Sequence, residues 1–467
     1  MSEKSTFALF FGNRGFFPAS LQAGARKEMT ARLKALGHKT IALDAALTRN
    51  GAIETPAEGQ IYANFLRENQ GRFDGVILCL PNFGDETGAI AALADAGVPI
   101  LIQAYPDDMD RMRPELRRDS FCGKFSIMDV FCQYGLKFTA VKPHTVAPGS
   151  KAFAENVDYF DKLCRVVKAM RRMVVGAIGA RTTAFKTVRI DELALQRHGI
   201  TMETMDLSDV FARMRAVKGS SAAAKAKAKR LADYSKWDGV PKEAFDKIVA
   251  LGVVLDEIVD ELKLDALALR CWVEMQKQLH ISPCVLLSEM NDRGLYVSCE
   301  VDVGTGITMR ALGAASGNVA TCLDWNNNYG DDENKCILFH CGPVPQSLMT
   351  AKGQITDHLI LANAVGKSCS WGCNTGRIAP NPISFGNLTT ADGRLKFYLG
   401  EGKFTKDRIP KDFFGCAGVA EIPRLQDILL AVGYGGHRHH TAVTPGHVVA
   451  PVREAFEKYL GYDVIVP

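Results

Sequence analysis

At 467 residues the chain is too long for one ordinary core, and with 47% hydrophobic and 23% charged residues it is neither disordered nor fibrous, so two or three globular domains are expected. Its 56 Lys and Arg against 52 Asp and Glu leave a net charge of +4, which gives no reason to invoke nucleic acid or an anionic membrane as a partner. Thirteen cysteines, an odd and scattered set that includes Cys79 and Cys336 inside apolar runs, read as reduced thiols of a cytoplasmic protein.

The N-terminal MSEKSTFALFFG lacks the basic, apolar and small-residue order of a signal peptide and reads as the entry to a first strand. No window approaches 18 uninterrupted apolar residues, so no membrane span is expected. FALFFG (7–12) is a strand and residues 21–36 have helical spacing. Strands follow in KTIALD and DGVILCLP, then a helix in DETGAIAALADAG and the strand VPILIQAY. Strands apolar on both faces, alternating with helices, predict a parallel, doubly wound sheet. A helical stretch over 154–172 leads to RRMVVGAIGAR (171–181), where a second α/β unit begins.

The GAIGAR turn is a truncated dinucleotide fingerprint without the full G-x-G-x-x-G spacing, and Asp191 and Glu192 come too soon to bind a ribose. It reads as a tight strand-to-helix turn, and no nicotinamide cofactor is expected. The Ala/Lys/Arg segment at 219–235 reads as a solvated helix face rather than an anion-binding patch. Beyond about residue 320, short β-prone runs broken by Gly, Asn and Pro predict a mainly antiparallel β domain. The expected organisation is an α/β domain over 1–168, a second over 169–319 and a β-rich C-terminal domain over 320–467.

The residues able to carry chemistry lie late in the chain. Cys299-Glu300-Val301-Asp302 stands between an apolar strand and a helix start, where a carboxylate points into a cleft at the carboxyl edge of a sheet. Asp324 closes an apolar run ahead of three asparagines, an awkward sequence to continue as regular structure, and His340 closes the next apolar run. GYGGHRHHTAVTPGHVV gathers His437, His439, His440 and His447, four of the ten histidines, beside a glycine turn. Cys369 and Cys373 flank Trp371, but no second cysteine pair stands at zinc-ligand spacing. Two carboxylates and an imidazole suit a hard or borderline divalent ion with open positions, and Mn²⁺ better than zinc, which would draw on the thiols. Vicinal oxygens of an open-chain sugar are natural partners for such an ion. One carboxylate can then take the C2 proton and the other return it at C1, through an enediolate.

These segments resemble the L-fucose/L-arabinose isomerase family. SCEVDVGTGITMRAL is similar to the family's C-E-x-D segment bearing the first metal carboxylate, here Glu300, and LDW, 24 residues on, to the second, Asp324. HHTAVTPGHV resembles the terminal histidine segment, which puts the third ligand at His440. The resemblance implies Mn²⁺ dependence, Glu300 and Asp324 as the acid/base pair, and a homo-oligomer in which a neighbouring subunit's first domain completes the cleft. His340 falls where the arabinose branch has a further histidine near the metal. His439 stands where the fucose enzymes carry a substrate-binding asparagine, so the substrate is left open among another pentose, a deoxyhexose and a sulfonated sugar such as sulfoquinovose. Arg14, Trp325, His340 and His439 are the expected substrate contacts. Trp272 is read rather as buried in a helix, and Glu421 as structural or supporting. A metal-dependent aldolase or epimerase and a non-catalytic sugar-binding protein are the alternatives to the isomerase.

Overall fold

A computed structural model describes residues 3–467, and the chain divides into two compact units, one ending at Lys168 and one running from Ala169 to Pro467. The first unit carries a parallel sheet in the order β2-β1-β3-β4, from β1 (Thr6–Phe11), β2 (Lys39–Ala42), β3 (Gly75–Leu80) and β4 (Ile100–Ala104). Its inner strands are apolar along their whole length because helices cover both faces. Helix Pro56–Glu68 shows how local sequence sets a boundary. Thr55 caps the Glu58 amide, the Glu58 carboxylate reaches back to the Glu54 amide at 2.8 Å, and proline occupies the first turn. Phe10, Tyr62, Leu78 and Ile102 fill this unit's core.

The second unit holds two sheets. β5 (Met173–Ile178), β6 (Ile200–Met205), β7 (Ala266–Leu269) and β8 (Tyr296–Cys299) form an all-parallel sheet in the order β6-β5-β7-β8. Helix Lys242–Leu262 packs Ile248, Leu251, Leu255 and Ile258 into its core. The third sheet comprises β9 (Thr321–Asn328), β10 (Lys335–His340), β11 (Gln354–Thr356), β12 (Cys373–Arg377), β13 (Pro382–Ala391), β14 (Arg394–Phe404), β15 (Cys416–Glu421), β16 (His440–Pro445) and β17 (Asp463–Ile465). Its order is β11-β12-β15-β10-β9-β16-β13-β14-β17, and all pairs are antiparallel except β12–β15 and β14–β17. The chain thus has two parallel α/β sheets and a mixed, mostly antiparallel C-terminal sheet.

Helix Val303–Ser316 touches strands of both sheets in this unit and is buried nearly throughout. That explains VGTGITMRALGAAS, a helix apolar or small at every position but Arg310. A Cβ on Gly304 would stand 2.7 Å from the Leu388 carbonyl oxygen and closer still to the Arg438 guanidinium, so glycine permits the approach. The three asparagines depart from expectation. β9 continues through Asn328, and its pairing with β10 slips one residue between Leu338↔Trp325 and Ile337↔Asn327, because a bulge absorbs Asn326 without ending the ladder. No helix among the described residues is long and apolar enough to cross a membrane.

Candidate active site

β8 ends at Cys299, and the next two residues, Glu300 (φ 62°) and Val301 (φ 58°), adopt the left-handed region. Such a conformation costs of order 1–3 kcal/mol per residue and is a genuine outlier for β-branched Val301. It persists because Val301 N–H donates to the Leu269 carbonyl at 3.3 Å and Asp302 N–H to the Cys299 carbonyl at 3.0 Å. The turn aims Glu300 into a cavity and delivers Asp302 to the N-cap of helix Val303–Ser316, where it accepts from the Thr305 amide at 3.0 Å and the Thr305 hydroxyl at 2.6 Å. In the third sheet, register does the corresponding work. Asp324 on β9 lies opposite His440 on β16 and Phe339 on β10, and directly opposed residues share a face.

Three distant segments therefore meet. His440 Nε2 stands 3.0 Å from Glu300 Oε2 and 3.4 Å from Asp324 Oδ1. Its Nδ1 lies 2.7 Å from Asp302 Oδ2, and the other Asp302 oxygen meets the Arg438 guanidinium. An ionised carboxylate can only accept, so Nδ1 carries a proton and the ring is held with Nε2 facing the two carboxylates. Trp272 Nε1 donates to Glu300 Oε1 at 3.0 Å. The cavity measures about 340 Å³ and is lined by Trp272, Glu300, Asp324, Asn326, His340 and Cys341, among others. Asp324 Oδ1, His340 Nε2 and His440 Nε2 are buried with no hydrogen-bond partner among the described residues. Buried polar atoms converging without partners are costly; Glu300, His439 and His440 bring ligand atoms within 4.8 Å of one another, and with Asp324 beside them they offer the donor chemistry of a divalent-cation site.

The charges are arranged unequally. Burial opposes ionisation of Asp302, yet Arg438 and His440 hold its carboxyl well below the usual range. Burial likewise opposes a charged His440, and Cys322, Asp302 and Glu300 outweigh it to raise the imidazole well above its ordinary value. Glu300 is pushed up by burial but brought below its ordinary value by His440 and His340, whereas for Asp324 burial prevails and the carboxyl is raised. Two neighbouring carboxyls are thus displaced in opposite directions.

Of the residues expected from sequence, Glu300, Asp324, His440 and His340 meet around this cavity. His439 borders them, 3.8 Å from Asp324 Oδ1, with its side chain 43% exposed. Trp325 does not join them. Strand alternation sends it to the face opposite Asp324, where it donates to the Tyr398 hydroxyl at 3.2 Å and meets Phe385 edge-on. The tryptophan at the carboxylates is Trp272, which lies beyond the end of β7 and not within a helix. Arg14 belongs to the first unit, where it pairs with Glu86, donates to the Gly84 carbonyl at 3.0 Å and covers the Phe83 ring. Glu421 pairs with Lys403 at 2.9 Å. His437 packs against Tyr398, and His447 faces Glu401 at 3.9 Å. Sequence reading gave no role to Asp302, Arg438 or Phe185, whose ring meets those of Trp272, His439 and His440. For Asp302 a signal existed, an acidic residue at a helix start two positions from Glu300.

Residues 8–171 match the fucose/sulfoquinovose isomerase N-terminal domain, and residues 338–466 match the L-fucose isomerase C-terminal domain. The chain belongs to the L-fucose isomerase-like family. This family member is accordingly an aldose–ketose isomerase, and its relatives agree. A sulfoquinovose isomerase of Priestia aryabhattai is 24% identical over 339 residues, covering 71% of this chain and 72% of that protein. A sulfoquinovose isomerase of Alkalicoccus urumqiensis is 24% identical over 394 residues, covering 84% and 85%.

Proposed function

We propose that this isomerase interconverts an open-chain sulfonated aldose, of the sulfoquinovose class, with its ketose through an enediolate, using a divalent cation held by Glu300, Asp324 and His440. The observation that carries the reading is the convergence of these three side chains, His440 Nε2 standing 3.0 Å from Glu300 and 3.4 Å from Asp324, beside a cavity that both carboxylates line. The resemblance of the metal segments favours Mn²⁺, and the sulfoquinovose isomerase relatives favour the sulfonated sugar. When bound, the ion would supply positive charge beside the C1 and C2 oxygens of the sugar.

The chain's own groups would do the rest. Glu300 takes the C2 proton and Asp324 delivers one at C1, while the O2 proton passes to O1, so that aldose and ketose differ only in where these two hydrogens sit. Trp272 fixes the rotamer of Glu300, and Asp302 with Arg438 fixes the ring of His440. His439 and His340 border the sugar and, with Phe185 and Trp272, exclude water from the reacting carbons. We take the working form to be a homo-oligomer in which a neighbouring subunit's Arg14 region covers the cavity. Exposed Phe16 (81%), Met109 (83%) and Phe121 (54%) on the first unit support an association surface there.

The test is to incubate the chain with Mn²⁺ in D₂O against sulfoquinovose, L-fucose and L-arabinose and follow products by NMR. Ketose formation from sulfoquinovose with deuterium entering the reacting carbons is expected. In Glu300→Gln, where the amide oxygen can still accept from Trp272, turnover should fall by about 10²–10⁴ with an unchanged melt. Wild-type turnover in that variant would remove Glu300 from the acid/base role, two cleavage products would indicate an aldolase, and rapid conversion of another sugar alone would displace the sulfonated substrate.

A further inference from the structure

One wall of the cavity is built of thiols that the proposed isomerisation does not use. Cys271, Cys284 and Cys341 line it, Cys299 ends β8 one residue before Glu300, and Cys373 opens β12. All five are buried and unbridged, and they arrive from five separate segments. Cys284 and His340 meet at Cys341, whose Sγ stands 3.4 Å from Cys284 Sγ and 3.2 Å from His340 Nδ1, a nitrogen that also accepts from the Cys341 amide at 2.9 Å. Cys299, His340 and Cys341 bring ligand atoms within 4.8 Å of one another, and Cys373 Sγ lies 4.0 Å from Cys284 Sγ. Two sulfurs bound at ~2.3 Å to one tetrahedral zinc stand roughly 3.8 Å apart. The Cys284–Cys341 separation of 3.4 Å comes near that value without any metal to impose it. The donors are soft, whereas the carboxylate site beside them is hard, so the two clusters select different cations.

We propose that Cys299, His340 and Cys341, whose ligand atoms lie within 4.8 Å of one another, form a second metal site for a thiophilic cation of the Zn²⁺ and Cd²⁺ class, with Cys284 drawn in through its contact with Cys341. Each cysteine that binds gives its thiol proton to solvent as a sulfur–metal bond forms, with no change of oxidation state. His340 joins this site to the first, because its ring also lies within ligand distance of Cys322 and His440. A cation on the sulfurs therefore pins a ring that faces Asp324 and His440, and occupancy inhibits isomerisation. Only this inhibition rests on the proposed function; the site itself does not.

The test uses the full-length reduced chain carrying Cys122→Ser and Cys132→Ser, which removes the two exposed thiols. It is saturated with Mn²⁺ and titrated with Cd²⁺ while the ultraviolet thiolate-to-cadmium band is recorded. One cadmium per chain is expected. Cys341→Ser and, separately, Cys284→Ser should each weaken it by roughly tenfold or more, whereas Glu300→Gln should leave the band unchanged. Absence of the band from the parent chain, its persistence at full affinity in both serine variants, or its loss in Glu300→Gln would each overturn the site. A band that forms while turnover stays constant would overturn the inhibition alone.

Discussion

Asp302 touches neither the cavity nor a carboxylate oxygen of the proposed metal set, yet four groups converge on it: the Thr305 amide and hydroxyl, Arg438 and His440 Nδ1. By fixing the proton on Nδ1 it decides what Nε2 can do. Asp302→Asn should therefore weaken Mn²⁺ binding by about 10–100-fold, read by calorimetry. It should also destabilise the fold by on the order of 3 kcal/mol, because Arg438 is left buried without its partner. Affinity equal to wild type would reduce Asp302 to a helix cap. His437, next to Arg438 in the chain, makes a separate prediction. Burial, together with Arg438 and Lys396, lowers its imidazole from the usual 6.5 to about 4. The unfolded chain thus takes up this proton first, so stability falls as pH drops from about 6.5 to 4 and is regained above. His437→Gln should flatten that part of the stability–pH curve in urea titrations; an unaltered acid limb would place the loss elsewhere.

Two elements carry the site, and each does so through an irregularity. The left-handed pair Glu300–Val301 is strained, but it is what turns the chain from the end of β8 into the cavity and then into a helix capped by Asp302. Helix Val303–Ser316 in turn depends on close approach. Gly304→Ala should push against the Leu388 carbonyl and the Arg438 guanidinium, costing about 1–3 kcal/mol and loosening the Arg438–Asp302 pair. Thermal melts together with Mn²⁺ titration check this, and a variant as stable as wild type would mean that the helix can slide to make room. On β9 the bulge at Asn326 lets the ladder continue through a polar run while Asp324 stays in register with His440.

For the whole molecule, the Glu300, Asp324 and His440 set lies within one compact unit, which has its own sheets and core, and the unit ending at Lys168 has another. A ligand stabilises what binds it, by about 2.7 kcal/mol at a hundredfold excess over its dissociation constant. Calorimetric scans should accordingly show Mn²⁺ raising the transition that melts residues 169–467 and, after chelation by EDTA, that transition falling back. A shift confined to the other transition would contradict metal binding at Glu300, Asp324 and His440.

Much of this was legible in the sequence because it is written in local periodicity. Apolar strands alternating with helices specify parallel sheets, and the change of texture near residue 320 specifies the antiparallel one. The segments around Glu300, Asp324 and His440 were also visible, since each pairs a chemical group with the end of an apolar run or a glycine turn. Other features depend on partners far away in the chain. Trp325 and Trp272 exchanged expected places because strand phase, not adjacency to Asp324, sets which way a side chain points. Asp302 acquired its partners 136 and 138 residues further on, at Arg438 and His440, and three scattered cysteines, Cys271, Cys284 and Cys341, came to line one cavity. Composition and periodicity determine which elements form; which side chains face each other is decided by register and packing, and these exist only once the chain has folded.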